Sequence, residues 1–169
     1  IDMAVFNAKD LIVVSGEKED IEHFESLLID RGIKSKKLKT SHAFHSRMME
    51  GVLDEFDKIL EKTHLKRPSS KIVSTLTSNW EDEIFSQKNY WKEHIVKPVR
   101  FWQGLERVDA EPFDRIIDFG PRNVFSQLCF QTLSHKQSRK EIVSLSANEK
   151  GNEARQWLTG VGKLWEKDI

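Results

Sequence analysis

The sequence predicts an α+β chain in two parts: a ferredoxin-like β-β-α-β-α-β unit over residues 1–79, then two parallel strands with several helices over residues 80–169. Three patterns carry this. Short apolar runs and two amphipathic stripes alternate as far as Thr77. Beyond Asn79 the order becomes strand-helix-strand-helix, the texture of a doubly wound sheet. That second part offers only two strands, too few for a parallel sheet covered on both faces, so it reads as one edge of a larger sheet.

The elements follow in order. "MAVF" (3–6) and "LIVVS" (11–15) read as strands joined by the turn-forming "NAKD". A helix opens after Gly16, with Glu17, Glu19 and Asp20 in the first turn, where the macrodipole favours acids. Ile21, Phe24, Leu27 and Leu28 form its apolar stripe, and Gly32 suits its C-terminal cap. "IKSKKLK" (33–39) reads as a short basic strand. The clearest helix follows, with Met49, Val52, Leu53, Phe56, Ile59 and Leu60 on one face. Pro68 breaks the chain, and "KIVSTLT" (71–77) reads as a strand. "SQKNYWKEHIVK" (86–97) predicts a helix stopped by Pro98, and "FWQGLERV" (101–108) predicts another. "RIIDFG" (115–120) reads as a buried parallel strand ending in Gly-Pro. A helix over 123–134, the strand "EIVSLS" (141–146) and a helix carrying Ala154, Trp157, Leu158, Val161, Leu164 and Trp165 complete the chain.

Composition narrows the function. Lys and Arg together number 27, as do Asp and Glu, and this zero formal charge argues against a nucleic-acid protein. No apolar run approaches the roughly 18 residues that span a bilayer. The start has neither the basic region nor the long apolar run of a signal peptide. It also lacks an initiator Met, so the chain is expected to be part of something longer. One cysteine, Cys129, allows no internal disulfide and no cysteine-rich zinc site, which points to a reducing, cytoplasmic setting.

The most specific stretch is "KTSHAFHSRMME" (39–50). His42 and His45 could share a helical face and bind metal, but tetrahedral zinc needs three or four protein ligands and only Glu50 stands near. A hydrolytic dyad needs a serine on a sharp turn. No glycine in this chain is followed two residues later by serine, so no G-x-S-x-G elbow is present. Ser41 and Ser46 flank the histidines too closely for in-line attack, and Cys129 reads as a buried inert thiol. From spacing alone, His45 reads as a helix N-terminal histidine with a structural hydrogen bond. If it is a base, its nucleophile lies outside these residues. "KSKKLK" reads equally as a solvated edge, and the "GVG" at 160–162 lacks the rest of a dinucleotide loop.

Four ordered stretches carry a family likeness: "AVFNAKDLIVVSG", "TSHAFHSRMME", "YWKEHIVKPVRFWQGL" and "IIDFGPRNVFSQL". The sequence resembles the acyltransferase domain of modular type I polyketide synthases, related to the malonyl-CoA:acyl carrier protein transacylases. The likeness runs from Ile1 to about Asp168. It covers only the C-terminal part of the family's domain: a ferredoxin-like small subdomain and the C-terminal edge of an α/β hydrolase-like large subdomain. In the family the nucleophilic serine sits on a Gly-His-Ser-x-Gly elbow, near a glutamine-containing oxyanion segment and a carboxylate-binding arginine. All three precede the part matched here.

The resemblance implies ping-pong transfer of a malonyl unit from CoA to the phosphopantetheine thiol of an acyl carrier protein, with no metal and no bound cofactor. His45 matches the general base. The backbone carbonyl of Lys97, just before Pro98, matches the acceptor for its other ring N–H. His42, Ala43 and Phe44 match the specificity motif, where His-Ala-Phe-His goes with malonyl and Phe44 would fill the space of an α-methyl. Lys34, Lys36, Lys37 and Lys39 could steer an acidic carrier protein. Other implied partners are malonyl-CoA, the N-terminal half of the domain and flanking synthase domains, with no nucleic acid and no membrane. Arg47 stands where the family usually has proline, and a cation there works against the macrodipole, so a fraying helix start is expected. The chain by itself is expected to be inactive. The competing expectation is a non-catalytic remnant that only binds a carrier protein or docks within a synthase.

Overall fold

The computed structural model describes residues 1–120, 123–134, 138, 140–145 and 152–166. By packing, these divide into two compact units, Ile1–Gly104 and Leu105–Ile169. The division read from the sequence at 79/80 lies within the first of these units.

In the first unit, β1 (Asp2–Ala8) and β2 (Leu11–Ser15) form an antiparallel hairpin, longer in its first strand than predicted. Its register runs from Asp2 opposite Ser15 to Ala8 opposite Leu11, leaving Lys9 and Asp10 as the turn. Helix α1 (Lys18–Asp30) ends as the sequence predicts. Gly32 takes φ +68°, its N–H bonds the Ile29 carbonyl, and the Ile33 N–H reaches back to Leu28, both at 2.9 Å. This is the Schellman closure that glycine permits.

The strand predicted over 33–39 is not formed: these residues are exposed and lack regular structure. Ile33 and Leu38 are five apart, so in a strand they would point to opposite faces and give neither an apolar side. A 3-10 turn, Arg47–Val52, precedes α2 (Leu53–Lys62), which buries Leu60. The strand predicted over 71–77 is cut to β3 (Ile72–Val73), paired with β4 (Trp80–Glu81), which the sequence did not suggest. Ser74 explains the cut. Its fully buried hydroxyl accepts from the N–H groups of Leu76 (3.1 Å) and Thr77 (3.3 Å), folding the chain into a turn. The described residues therefore hold three two-stranded sheets, and the four-stranded ferredoxin-like sheet is not present among them.

Helix α3 (Lys88–Val96) stops before Pro98, and α4 (Phe101–Asp109) starts after it. Between them Val99 lies along β1. Its N–H bonds the Ala4 carbonyl at 2.9 Å and its carbonyl accepts from Phe6 at 2.8 Å. These bonds hold residues near 99 in the first unit. Phe85, Tyr90 and Trp91 pack their rings at centroid distances of 4.9–6.3 Å beside them.

In the second unit, β5 (Arg115–Asp118) and β6 (Glu141–Ser144) are parallel, as predicted, with α5 (Val124–Ser134) between them in sequence. Asp118 is buried at the end of β5. Its carboxylate accepts from the N–H groups of Gly120 and Ser126 and from the Ser126 hydroxyl, at 2.8–2.9 Å, which ties the strand end to the first turn of α5. Helix α6 (Glu153–Trp165) packs on β6 through Gly160, where a Cβ would lie 2.4 Å from Leu145 Cδ2 and 3.0 Å from the Ser144 carbonyl oxygen. Pro121, of the predicted Gly-Pro strand end, and Ser146, of the second predicted strand, lie outside the described residues. Among the described residues no helix is long and apolar enough to cross a membrane.

Candidate active site

His45 sits on a backbone turn that four neighbours hold in place. Its φ is 57°, in the left-handed region that costs a side-chain-bearing residue of order 1 kcal/mol or more. Ser46, 1% exposed, supplies the first tie. Its hydroxyl donates to the Ala43 carbonyl at 2.6 Å and accepts from the Met48 N–H at 3.3 Å, capping the 3-10 turn. On the other side the Ser15 hydroxyl, at the end of β2, donates to the Phe44 carbonyl at 3.0 Å.

The next tie corrects the expectation of a fraying helix start at Arg47. The Asp2 carboxylate, at the start of β1, accepts the Arg47 backbone N–H at 3.1 Å and its guanidinium Nε at 3.1 Å. Asp2 thus supplies the anion that the helix start favours, and Arg47 provides an N–H that proline would lack. The backbone bond from Arg47 is the leading cause that holds the Asp2 carboxyl below its ordinary value.

The fourth tie reaches the ring itself. His45 Nδ1–H donates to the carbonyl of His94 at 3.0 Å. The expected acceptor, the carbonyl of Lys97, does not take this role in the structure. The reason lies in the helix ladder. The carbonyl of His94 would bond the N–H of residue 98, but residue 98 is proline and has none. Pro98 therefore releases the carbonyl four positions before it, and the last ladder bond of the helix is the one before, from the Lys97 N–H to the Glu93 carbonyl. Because a carbonyl only accepts, the proton must sit on Nδ1, and Nε2 carries the lone pair.

The His94 side chain is also engaged. Its Nε2 lies 3.1 Å from the Thr75 hydroxyl, and its ring stands edge-on to His45 at 5.8 Å between centroids. Burial, and then the positive charge His45 can carry, depress the proton affinity of His94.

The remaining predicted residues are arranged differently. His42 is exposed, its Nδ1 2.8 Å from the Ser41 hydroxyl, and its ring lies tilted 5.9 Å from that of Phe44. Phe44 is 47% exposed and Ala43 half-buried. Lys34, Lys36, Lys37 and Lys39 are all exposed, and Lys37 lies 3.4 Å from Glu22 on α1. Among the described residues no three His, Cys, Asp or Glu side chains are placed to hold a metal ion. Cys129 is buried in α5, and burial, with a smaller push from Asp118, raises its thiol to about 11. Sequence reasoning missed Asp2, Ser15, Thr75 and His94. Counting back four residues from Pro98 would have found the His94 carbonyl, but the other three reach the site only through tertiary contacts.

A family model described as "Acyl transferase domain" matches residues 1–165. Among curated relatives, the polyketide synthase GfsA of Streptomyces halstedii is 26% identical over 162 residues, covering 96% of this chain and 2% of the relative. Among solved structures, the acyltransferase domain from the second module of the salinomycin polyketide synthase matches with a TM-score of 0.88 and 29% identity, covering 97% of this chain and 38% of that one. The malonyl CoA-acyl carrier protein transacylase of Clostridium perfringens shares the fold, with a TM-score of 0.85 at 19% identity, over 99% of this chain and 50% of that one. The chain thus spans half or less of these solved proteins and a few per cent of the synthase.

Proposed function

This chain belongs to the acyl transferase domain family, and within it we propose that the 169 residues are the C-terminal part of a polyketide synthase acyltransferase domain that uses malonyl units. In this reading residues 1–79 form the small subdomain and 80–169 complete the large one. The domain moves a malonyl group from CoA to the phosphopantetheine thiol of an acyl carrier protein, in the cytoplasm. The 26–29% likeness to polyketide synthase sequences and to the salinomycin acyltransferase domain supports the class. The bond from His45 Nδ1–H to the His94 carbonyl carries the mechanism.

That bond fixes the tautomer and points a basic nitrogen away from α3. Nε2 takes the proton of a serine hydroxyl supplied by the remainder of the domain as the serine oxygen attacks the malonyl thioester. The proton then goes to the sulfur of the departing CoA. In the second half the same nitrogen takes the proton of the carrier thiol, which attacks the acyl-serine ester, and returns it to the serine oxygen. The His94 carbonyl stabilises the imidazolium at both stages, so no carboxylate is needed beside it. Phe44, exposed beside His42, forms a wall that disfavours an α-methyl on the incoming acyl group. Lys34, Lys36 and Lys39 are exposed and present positive charge to the acidic carrier, while Glu22 offsets part of that of Lys37.

The test is transfer of labelled malonyl from CoA to a carrier protein by a domain that joins this chain to a Gly-His-Ser-x-Gly half. The expected result is robust transfer that His45→Gln lowers by about 10²- to 10⁴-fold. Equal transfer by the His45→Gln domain would refute the reading, and transfer by the 169 residues alone would demand a different nucleophile.

A further inference from the structure

We propose that the Thr75–His94 side-chain pair is a positioning device for His45: it locks the last turn of α3 so that the His94 carbonyl stays aimed at the His45 ring. The proposal rests on the reading of His45 as the base and gives a role to two side chains, those of Thr75 and His94.

The need follows from Pro98. A carbonyl in a last helical turn without its ladder partner is free to tilt toward solvent, and helix ends fray. Here it must hold one direction to hold one tautomer. Thr75 acts on both sides of the proline. Its hydroxyl meets His94 Nε2 at 3.1 Å, and its carbonyl accepts the Arg100 N–H at 2.7 Å. Its neighbour Ser74 meets the Tyr90 hydroxyl at 3.0 Å. Tyr90 and His94 are four apart, on one face of α3, so two adjacent residues grip two successive turns. β1 sets the other side of the spacing. Asp2 holds Arg47, two residues after His45, while Ala4 and Phe6 hold Val99, five residues after His94. The 3.0 Å between His45 Nδ1 and the His94 oxygen is thus fixed from both ends.

The imidazole of His94 suits this place better than a cation would. Burial and the charge of His45 both depress its proton affinity, which favours a neutral His94 ring beside a protonated His45 whose ring centroid lies 5.8 Å away. A purely structural pair would change stability alone. A positioning pair also changes which nitrogen of His45 carries the proton.

The experiment is long-range ¹H–¹⁵N NMR of the full 169-residue chain with ¹⁵N-labelled histidine, which reads the tautomer of His45 without any assay of transfer. The wild-type chain and Thr75→Ser should show one pattern, proton on Nδ1 and Nε2 bare. Thr75→Val and His94→Phe each remove the bond while keeping the backbone carbonyl, and each should replace that pattern by a tautomer mixture. Their combination should go no further than either alone, because both act through one bond. The two substitutions act from opposite ends, so a folding failure of one leaves the other to decide. In the whole domain Thr75→Val should lower kcat about fivefold to tenfold, the scale of one lost hydrogen bond, with KM unchanged. An unaltered His45 tautomer in both single variants overturns the proposal, even where transfer depends on His45. A tautomer change in a domain that transfers no malonyl supports the positioning and removes the functional reading instead.

Discussion

Residues 34–44 and 45–47 are adjacent in sequence and are treated in opposite ways. The first stretch is exposed apart from the half-buried Ala43, and is without helix or strand. Its ties are few and gather at its end: Lys37 to Glu22, His42 to its neighbour Ser41, the Ala43 carbonyl to the Ser46 hydroxyl, and the Phe44 carbonyl to Ser15. The second is three residues long and is fastened to β1 through Asp2 and to α3 through the His94 carbonyl, with a buried serine at its centre. The contrast teaches a division of labour. A base works only from a fixed position, so its turn is held by distant elements. Side chains that meet a substrate or carrier must stay accessible, so their segment carries few constraints.

Perturbing the fixed part should have the larger consequences. Replacing His45 by Gln is the largest, as described above. Phe44→Ser, in the accessible part, should leave malonyl turnover nearly intact but shift the malonyl-to-methylmalonyl ratio of kcat/KM by up to ~1–3 kcal/mol. Competition between the two CoA thioesters measures this, and an unchanged ratio would remove Phe44 as the wall. Ser46→Ala removes a cap and the bond to Ala43, and should lower stability by about 1 kcal/mol in denaturant titration. Loss of stability with full retention of transfer would show that the turn is held without Ser46.

Smaller effects test the edges of the contrast. His94 should give stability a pH dependence. Its folded proton affinity is depressed, chiefly by burial, whereas unfolded it titrates near about 6.5. The unfolded chain therefore binds the proton first. The stability it supports is complete above about pH 6.5 and falls as pH drops toward the folded value. His94→Phe should flatten that slope in denaturant midpoints measured against pH, and an identical slope would place its cause elsewhere. Reversing the charges of Lys34, Lys36 and Lys39 should weaken carrier acylation mainly through KM and reduce its salt sensitivity. Salt dependence identical to that of the wild type would leave these lysines a solvated segment.

Much of this architecture was legible in the sequence, for identifiable reasons. The stripe of α1 and its Gly32 cap, the stripe of α2, the Pro98 stop and the two parallel strands are local patterns that tertiary packing had no cause to override. Two strands were misread. Residues 33–39 have no apolar face, and at Ser74 a side-chain hydroxyl competes successfully for the backbone. The four-stranded sheet failed with them. In the site, His45 was visible as part of a motif, but its acceptor was placed at Lys97. The decisive property of Pro98 is its missing N–H, which frees the carbonyl of His94 four residues earlier. Asp2, Ser15 and Thr75 carry no local signature, since they act across 45, 29 and 19 residues respectively, through the fold alone.

The central claim is that His45 removes and returns a proton in both halves of the transfer. Rapid-quench measurement of malonyl-serine ester formation, and of its discharge to a carrier thiol, tests it most directly in a complete domain. The account predicts that His45→Gln slows both steps by similar large factors. Ester formation at the wild-type rate in that variant would contradict it.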